Sequence, residues 1–414
     1  MTVDRKFDAL IVGAGMVGAA AACLLARSGF SVAILEAREP QVFDSAGPVG
    51  LRVSAFSPGA QAILTEAGAW RQIVQQRHCP YRRMRVEDRD ESVVIAFSAP
   101  EFGLERLGTI IENQLVQWSL WQTLQAMGGV EIICPDQLDA LEYEHDEPVA
   151  RLSSGRSIRC RLLVGADGAN SKVRKMLGIG QDHWEYGQQG IVTVVETGKP
   201  NPGIAWQRFM EGGPLAFLPL QDGTSSMVWS RPEAEAQRLL ELDESAFCAE
   251  LEQAAVGESQ SWPGKISTCG PRAAFPLTMR LSHNYAASRA VLIGDAAHVV
   301  HPLAGQGVNL GLLDAAGLAE VLVAARSRQA DISSEKTLRK FARWRRSEAE
   351  VMARGIHGIR GLFMPEVLAP LRRLGLGLVA HSWIAKEAFI KRAAGKNRNA
   401  PALARGVELT DLLR

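Results

Sequence analysis

Short apolar runs that end at glycine dominate the first part of the chain. Residues 7–12 form one such run and predict a buried strand. Residues 16–28 are rich in alanine and leucine, stop at Gly29 and predict a helix. Residues 31–35 predict a second buried strand, closed by Glu36. Strand, glycine turn, helix and strand in this order open a parallel α/β sheet. A helix is expected from Pro58 to Gly68, a pair of strands over residues 84–97, and a helix over 114–127 that ends at Gly128-Gly129. Strand-like pieces follow at 131–134, 150–152 and 161–164. Between about 191 and 230 the texture changes. Short apolar strands alternate with Gly/Pro turns, which is the pattern of an antiparallel sheet. Residues 290–293 read as a return to the first sheet, and the chain from about 337 reads as helical.

The pattern divides the chain into an α/β nucleotide-binding domain of residues 1–75, 105–180 and 270–335, a substrate-side domain of 76–104 and 181–269, and a helical C-terminal part of 336–414. Two to three domains suit 414 residues. The net charge of +1 argues against a nucleic-acid partner for the molecule as a whole. That balance conceals a segregation. Residues 339–398 hold fourteen Lys/Arg against four Glu, so the rest of the chain carries about nine net negative charges. Apolar residues are interleaved there, Trp344, Leu362, Leu371, Leu378 and Phe389 among them. The segment reads either as helices with solvated basic faces or as a surface for anionic lipid or a partner protein, with Arg372 and Arg373 as contacts. No apolar run reaches about 18 residues and no signal-peptide core opens the chain, so a cytoplasmic protein, peripheral to the inner membrane at most, is expected. The six cysteines form no C-x-x-C pair, so neither a metal site nor a dithiol redox centre is expected.

Gly13-Ala14-Gly15-Met16-Val17-Gly18 meets the dinucleotide fingerprint in its proper context. The first glycine permits the tight turn, the second lets backbone approach a pyrophosphate, and the third lets helix and strand pack closely. The free N–H groups and dipole of the following helix favour an anion. Glu36, with Arg38 beside it, stands where a carboxylate would accept bonds from the adenosine ribose. Far downstream, Gly294-Asp295 follows a second apolar run, and His301-Pro302-Leu303-Ala304-Gly305-Gln306-Gly307-Val308-Asn309 leads into another helix. Asp295 suits a sugar or ribityl hydroxyl, and the second helix terminus suits the electron-rich edge of a flavin. Two such turns imply a long cofactor held at both ends, and FAD is one. A third piece, Asp167-Gly168 with Lys172 and Arg174 after it, suits a turn beside the pyrophosphate.

These three elements in this order resemble the single-component flavin hydroxylases typified by p-hydroxybenzoate hydroxylase. Within that class the chain is most similar to the ubiquinone-biosynthesis hydroxylases. The similarity is carried by the run from His301 to Gly311, by Ala216-Phe217-Leu218-Pro219-Leu220 and by Met227-Val228-Trp229-Ser230, and it spans roughly residues 5–395. It implies a Rossmann-like FAD-binding domain with an inserted antiparallel-sheet substrate domain, FAD bound tightly and non-covalently, NAD(P)H as co-substrate, molecular oxygen, and a prenylated phenol or quinone precursor. It places Gly13, Gly15, Gly18 and Glu36 at the adenosine half, Arg52 near the pyrophosphate, Asn113 on the cofactor, Asp167 at FAD and nicotinamide, and Asp295 at the ribose. It also places Pro302 and Gly305 to Asn309 along the isoalloxazine.

The implied chemistry is oxygen transfer from a flavin C4a-hydroperoxide to an electron-rich ring carbon. Phe217, Leu218, Pro219, Leu220 and Leu303 are expected to face the substrate. No catalytic acid or base stands out, and His298 and His301 read as structural. Three alternatives remain: an FAD monooxygenase of another lipophilic or aromatic substrate, a non-catalytic FAD-binding scaffold, and an NAD-dependent dehydrogenase built on the first glycine motif alone.

Overall fold

A computed structural model describes residues 6–88, 94–255, 264–300, 307–363 and 382–413. Its first sheet has a parallel core. The strand Lys6–Val12 lies between Val32–Leu35 and Ser157–Gly165, with Val130–Ile133 beyond the former and Ala290–Leu292 beyond the latter. Five strands drawn from across nearly 290 residues thus lie side by side. An antiparallel hairpin of Leu138–Glu144 and Glu147–Leu152 extends one of them. Parallel strands covered on both faces must be apolar throughout, and Ala9, Leu10, Ile11, Val32, Ala33, Ile34, Leu162, Leu163 and Val164 are all fully buried.

Two helices close over this sheet. Met16–Arg27 buries an unbroken run from Gly18 to Leu25, and its small residues let it approach the helix Gly307–Ser327 closely. Val17 is the contact. A Cβ on Gly311 would come within 2.5 Å of Val17 Cγ2, and one on Gly294 within 3.1 Å of Val17 Cγ1. Gly307–Ser327 is long and apolar enough to cross a membrane, with mean hydropathy 1.6, but 78% of its apolar window is buried inside the protein. Here it is a core helix. The amphipathic helix Glu335–Phe363 packs on it through Leu338, Phe341, Ala342 and Ala349.

The second sheet has nine strands. Gln181–Thr197 runs antiparallel to Ser225–Pro232 on one side and to Ala273–Ser282 and Ile266–Cys269 on the other. Beyond Ser225–Pro232 lie Leu215–Pro219, Ile204–Arg208, Arg83–Glu87 and Val94–Ser98. The helices Glu233–Glu241 and Glu244–Ala255, which the sequence reading did not identify, cover one face and form a second core with Trp206, Phe217, Met227, Trp229 and Phe247. One assignment changes. Ala273–Ser282 falls in the stretch given to the nucleotide-binding domain, yet nine of its residues pair with Gln181–Thr197. Strand pairing outweighed its closeness in sequence to the return strand. A three-stranded sheet of Val53–Phe56, Gly108–Glu112 and Cys79–Tyr81 joins the two halves.

Candidate active site

Each glycine of the first turn has its own task. Gly13 has φ +103°, and a Cβ there would sit 2.5 Å from Ala166 O. A Cβ on Gly18 would sit 2.0 Å from Gly13 O, so the helix could not close on the turn. A Cβ on Gly15 would meet nothing within 4 Å. Its space opens into a cavity of about 1130 Å³, which Gly15, Met16 and Val17 help to line. That volume exceeds the roughly 300–1,000 Å³ usual for one small ligand. The Glu36 carboxylate accepts from Ala14 N–H at 2.6 Å and from Arg38 N–H at 3.2 Å, pinning the turn to the end of the second strand. Neither Glu36 nor the exposed Arg38 lines the cavity.

The opposite wall comes from the downstream motif. Asp295 sits on the one-turn helix Gly294–Ala296, enclosed by protein except where its surface opens to the cavity. Burial pushes its carboxyl above the ordinary value, while His298 and Arg52 pull in the opposite direction. Gly307, Val308 and Asn309 bring the first turn of their helix to the same wall. Asn309 is buried and stitched in place: Oδ1 accepts from Ser57 N–H at 2.9 Å and Nδ2 donates to Ala55 O at 2.8 Å. Pro302, Leu303, Gly305 and Gln306 lie outside the described residues.

Asp167 has a local task in the structure. Its carboxylate accepts from Ser171 Oγ at 2.5 Å, Lys172 N–H at 2.7 Å and Val173 N–H at 3.1 Å, holding the Asp167-Gly168 turn, while Ala166 and Gly168 line the cavity. Arg174 donates to Ala169 O at 3.0 Å and to Ala296 O at 2.9 Å, tying this turn to the one that carries Asp295. Arg52 lines the cavity from an exposed position, and Asn113 lines it from the start of the helix Asn113–Ala126. The buried Oδ1 of Asn113 has no hydrogen-bond partner among the described residues. An unmatched acceptor, an open glycine turn and a half-enclosed carboxylate along one cavity fit a dinucleotide with sugar hydroxyls and N–H donors. Glu112 belongs to the same wall, accepting from Gly50 N–H at 2.6 Å and from Arg77 Nε at 3.0 Å.

The structure adds a buried charge cluster that the sequence reading missed. Asp314, fully buried in the apolar helix Gly307–Ser327, accepts from Arg345 Nε at 2.8 Å and from Gly294 N–H at 3.0 Å, and lies 2.5 Å from His298 Nε2. Burial alone would raise the Asp314 carboxyl. The adjoining His298 and Arg345 more than offset it and hold it below the usual carboxylate range. The cluster locks the turn that presents Asp295. An aspartate within an otherwise apolar helix was the available signal.

The far end of the cavity is apolar. Val192, Ala205, Ala216, Leu218, Val228 and Ala273 pave it from the second sheet, opposite Tyr81, Leu107, Phe389, Ile390 and Ala394. Burial raises the Tyr81 phenol to about 12, so it is protonated at neutral pH. Here the sequence expectation is corrected. Along Leu215–Pro219, Phe217 turns to the opposite face and is fully buried in the second core, while Leu218 and Ala216, which was not among the expected substrate-facing residues, face the cavity. Pro219 and Leu220 are not in the lining, and Leu220 packs with Ala55 and Ile110. Strand alternation, with apolar residues on both faces, accounts for the exchange.

Comparison with known proteins agrees with this geometry. The FAD-binding domain family matches residues 6–353. The chain is 36% identical to the 3-demethoxyubiquinol 3-hydroxylase of Escherichia coli over 396 residues, 95% of this chain and 99% of that one. It is 35% identical to ubiquinone hydroxylase UbiL of Rhodospirillum rubrum, over 99% and 95% of the two chains. It is 32% identical to the human mitochondrial ubiquinone biosynthesis monooxygenase COQ6, over 80% of each. Among solved structures, p-nitrophenol 4-monooxygenase PnpA from Pseudomonas putida superposes with TM-score 0.75 at 17% identity, over 95% of this chain and 99% of that one, a likeness of fold.

Proposed function

The chain belongs to the ubiquinone-biosynthesis hydroxylases of the FAD-binding domain family, and from that premise we propose that it is an FAD-dependent monooxygenase that hydroxylates the ring of a prenylated phenol, using NAD(P)H and molecular oxygen. The observation that carries this reading is one continuous cavity with two chemistries. Its first end offers Gly15, Arg52, Asn113 and Asp295, and its second end is floored by small apolar residues with room for a ring and an isoprenoid chain.

Bound FAD supplies the redox chemistry and the activation of oxygen. The protein's share is binding, orientation and dryness. The Gly13–Gly18 turn and its helix N-terminus receive the pyrophosphate. The Asn113 Oδ1 and the Asp295 carboxylate accept hydrogen bonds from the cofactor's N–H and hydroxyl groups. Asp314, His298 and Arg345 hold the Asp295 turn rigid. Phe389, Ile390 and Ala394 cover the apolar end, where exclusion of water protects reactive species from side reactions. The test is a quinone-intermediate profile by mass spectrometry in cells lacking the protein, with and without the gene restored. Accumulation of a prenylated phenol one oxygen short of the next intermediate is expected. An unchanged ubiquinone profile would overturn the reading and leave an FAD monooxygenase of another substrate.

We further propose that the protein works in the cytoplasm against the inner membrane, through the basic C-terminal region. Support comes from the helix Glu335–Phe363, which exposes Lys336, Arg339, Lys340, Arg343 and Arg346 on one face. Phe389, 42% exposed, belongs to the same region and lines the apolar end of the cavity, a route suited to a lipid-soluble substrate. Arg372 and Arg373, the contacts expected from sequence, lie outside the described residues.

A further inference from the structure

The apolar floor contains one long polar side chain, and alternation fixes where it points. Along Ile204–Arg208, Trp206 packs into the second core and Arg208 turns the same way, lying over the Trp206 ring and ion-paired to Glu87 at 2.7 Å. Ala205 and Gln207 therefore face the cavity, which both line. Gln207 sits between Val86 on one neighbouring strand and Ala216 on the other. It is 8% exposed, and it stands in the lining of the cavity. Ser226 and Ser230 share the floor, but a serine hydroxyl is a short rotor. A carboxamide holds donor and acceptor in one rigid plane at fixed spacing. A carboxamide in an otherwise apolar cavity wall offers a ligand a directional polar partner that the neighbouring alanines and valines do not.

We propose that the Gln207 carboxamide recognises the phenolic oxygen of the substrate and so sets which ring carbon is presented for hydroxylation. This rests on the prenylated-phenol reading above. The phenol donates to Oε1, or its oxygen accepts from Nε2, while the isoprenoid chain follows the small residues Ala205, Ala216 and Ala273. The ring is fixed at one polar point and one apolar track, which is enough to define its rotation.

The experiment uses the FAD-loaded protein and two ligands that differ only in the hydroxyl, 2-prenylphenol and prenylbenzene. Dissociation constants are read from ligand-induced changes in flavin absorbance, so the comparison does not depend on turnover. The native protein is expected to bind the phenol about tenfold more tightly, the size of one buried polar match. Gln207→Met, of similar shape with no amide, should abolish that gap by weakening the phenol alone. Gln207→Glu, which keeps an acceptor, should restore part of it, and it serves as the test if the Met variant fails to retain FAD. The same variants should scatter the position of hydroxylation and release more hydrogen peroxide per NAD(P)H consumed. A native protein without the gap, a gap that survives in Gln207→Met, or a Glu variant no better than Met would overturn the role of Gln207. A native protein that binds the phenol but leaves it unhydroxylated would instead overturn the proposed function.

Discussion

At the scale of single residues, the site depends on two aspartates in opposite surroundings. Asp295 faces the cavity with its carboxyl raised by burial, and Asp314 lies behind it with its carboxyl lowered by His298 and Arg345. Asp295→Ala should leave the fold intact and reduce FAD affinity by about tenfold or more. Full yellow holoprotein after purification of that variant would contradict the role given to Asp295. Asp314→Asn leaves His298 and Arg345 facing a neutral amide, and should destabilise the protein by about 3–5 kcal/mol. The sign of the pH effect follows from the depressed carboxyl. Its stabilising contribution is complete above the unfolded value of about 3.9 and is lost as pH falls through the lower folded value. The urea-midpoint difference between native and Asp314→Asn proteins should therefore shrink as pH falls below about 4. A difference that grows below about pH 4 would refute the assignment.

At the scale of elements, the glycine turn separates packing from binding, and substitutions can separate them experimentally. Gly18→Ala places a methyl on Gly13 O and should cost both stability and cofactor. Gly15→Ala meets only open space in the protein, so thermal unfolding of the FAD-free form should move little while FAD retention falls. Equal losses of apo-stability in the two variants would show that the space at Gly15 is not the cofactor's. Much of this was legible in the chain. The two glycine turns, the strands that end at them and the helices that follow were recognisable because buried parallel strands and glycine stops leave strong local marks. The cavity floor was less legible. Leu215–Pro219 is apolar on both faces, so its pattern carries no phase, and only pairing with Ser225–Pro232 and Ile204–Arg208 shows that Ala216 rather than Phe217 faces the ligand. Gln207 escaped notice for the same reason. Arg345 was invisible as a partner of Asp314 because one helix hides the acid in an apolar run and another hides the base in a cationic one.

At the scale of the whole molecule, charge is distributed unevenly and the apolar mouth lies in the cationic part. Arg339→Glu, Lys340→Glu and Arg343→Glu together should reduce co-sedimentation with anionic vesicles and leave FAD content unchanged, because all three side chains are exposed and outside the cavity lining. Equal sedimentation of native and triple-variant proteins would refute a membrane contact through this helix. The parallel sheet has another consequence, for synthesis. Its central strand, Lys6–Val12, is flanked by strands from near residues 32 and 160, the outer strand comes from 290, and Arg345 closes the cluster behind Asp295. A ribosome that has translated the first glycine turn has therefore made a cradle with one side. Fragments from premature termination before residue 345 should be colourless and protease-sensitive, while the finished chain acquires flavin after release. Yellow colour would then report that translation reached about the last sixth of the message.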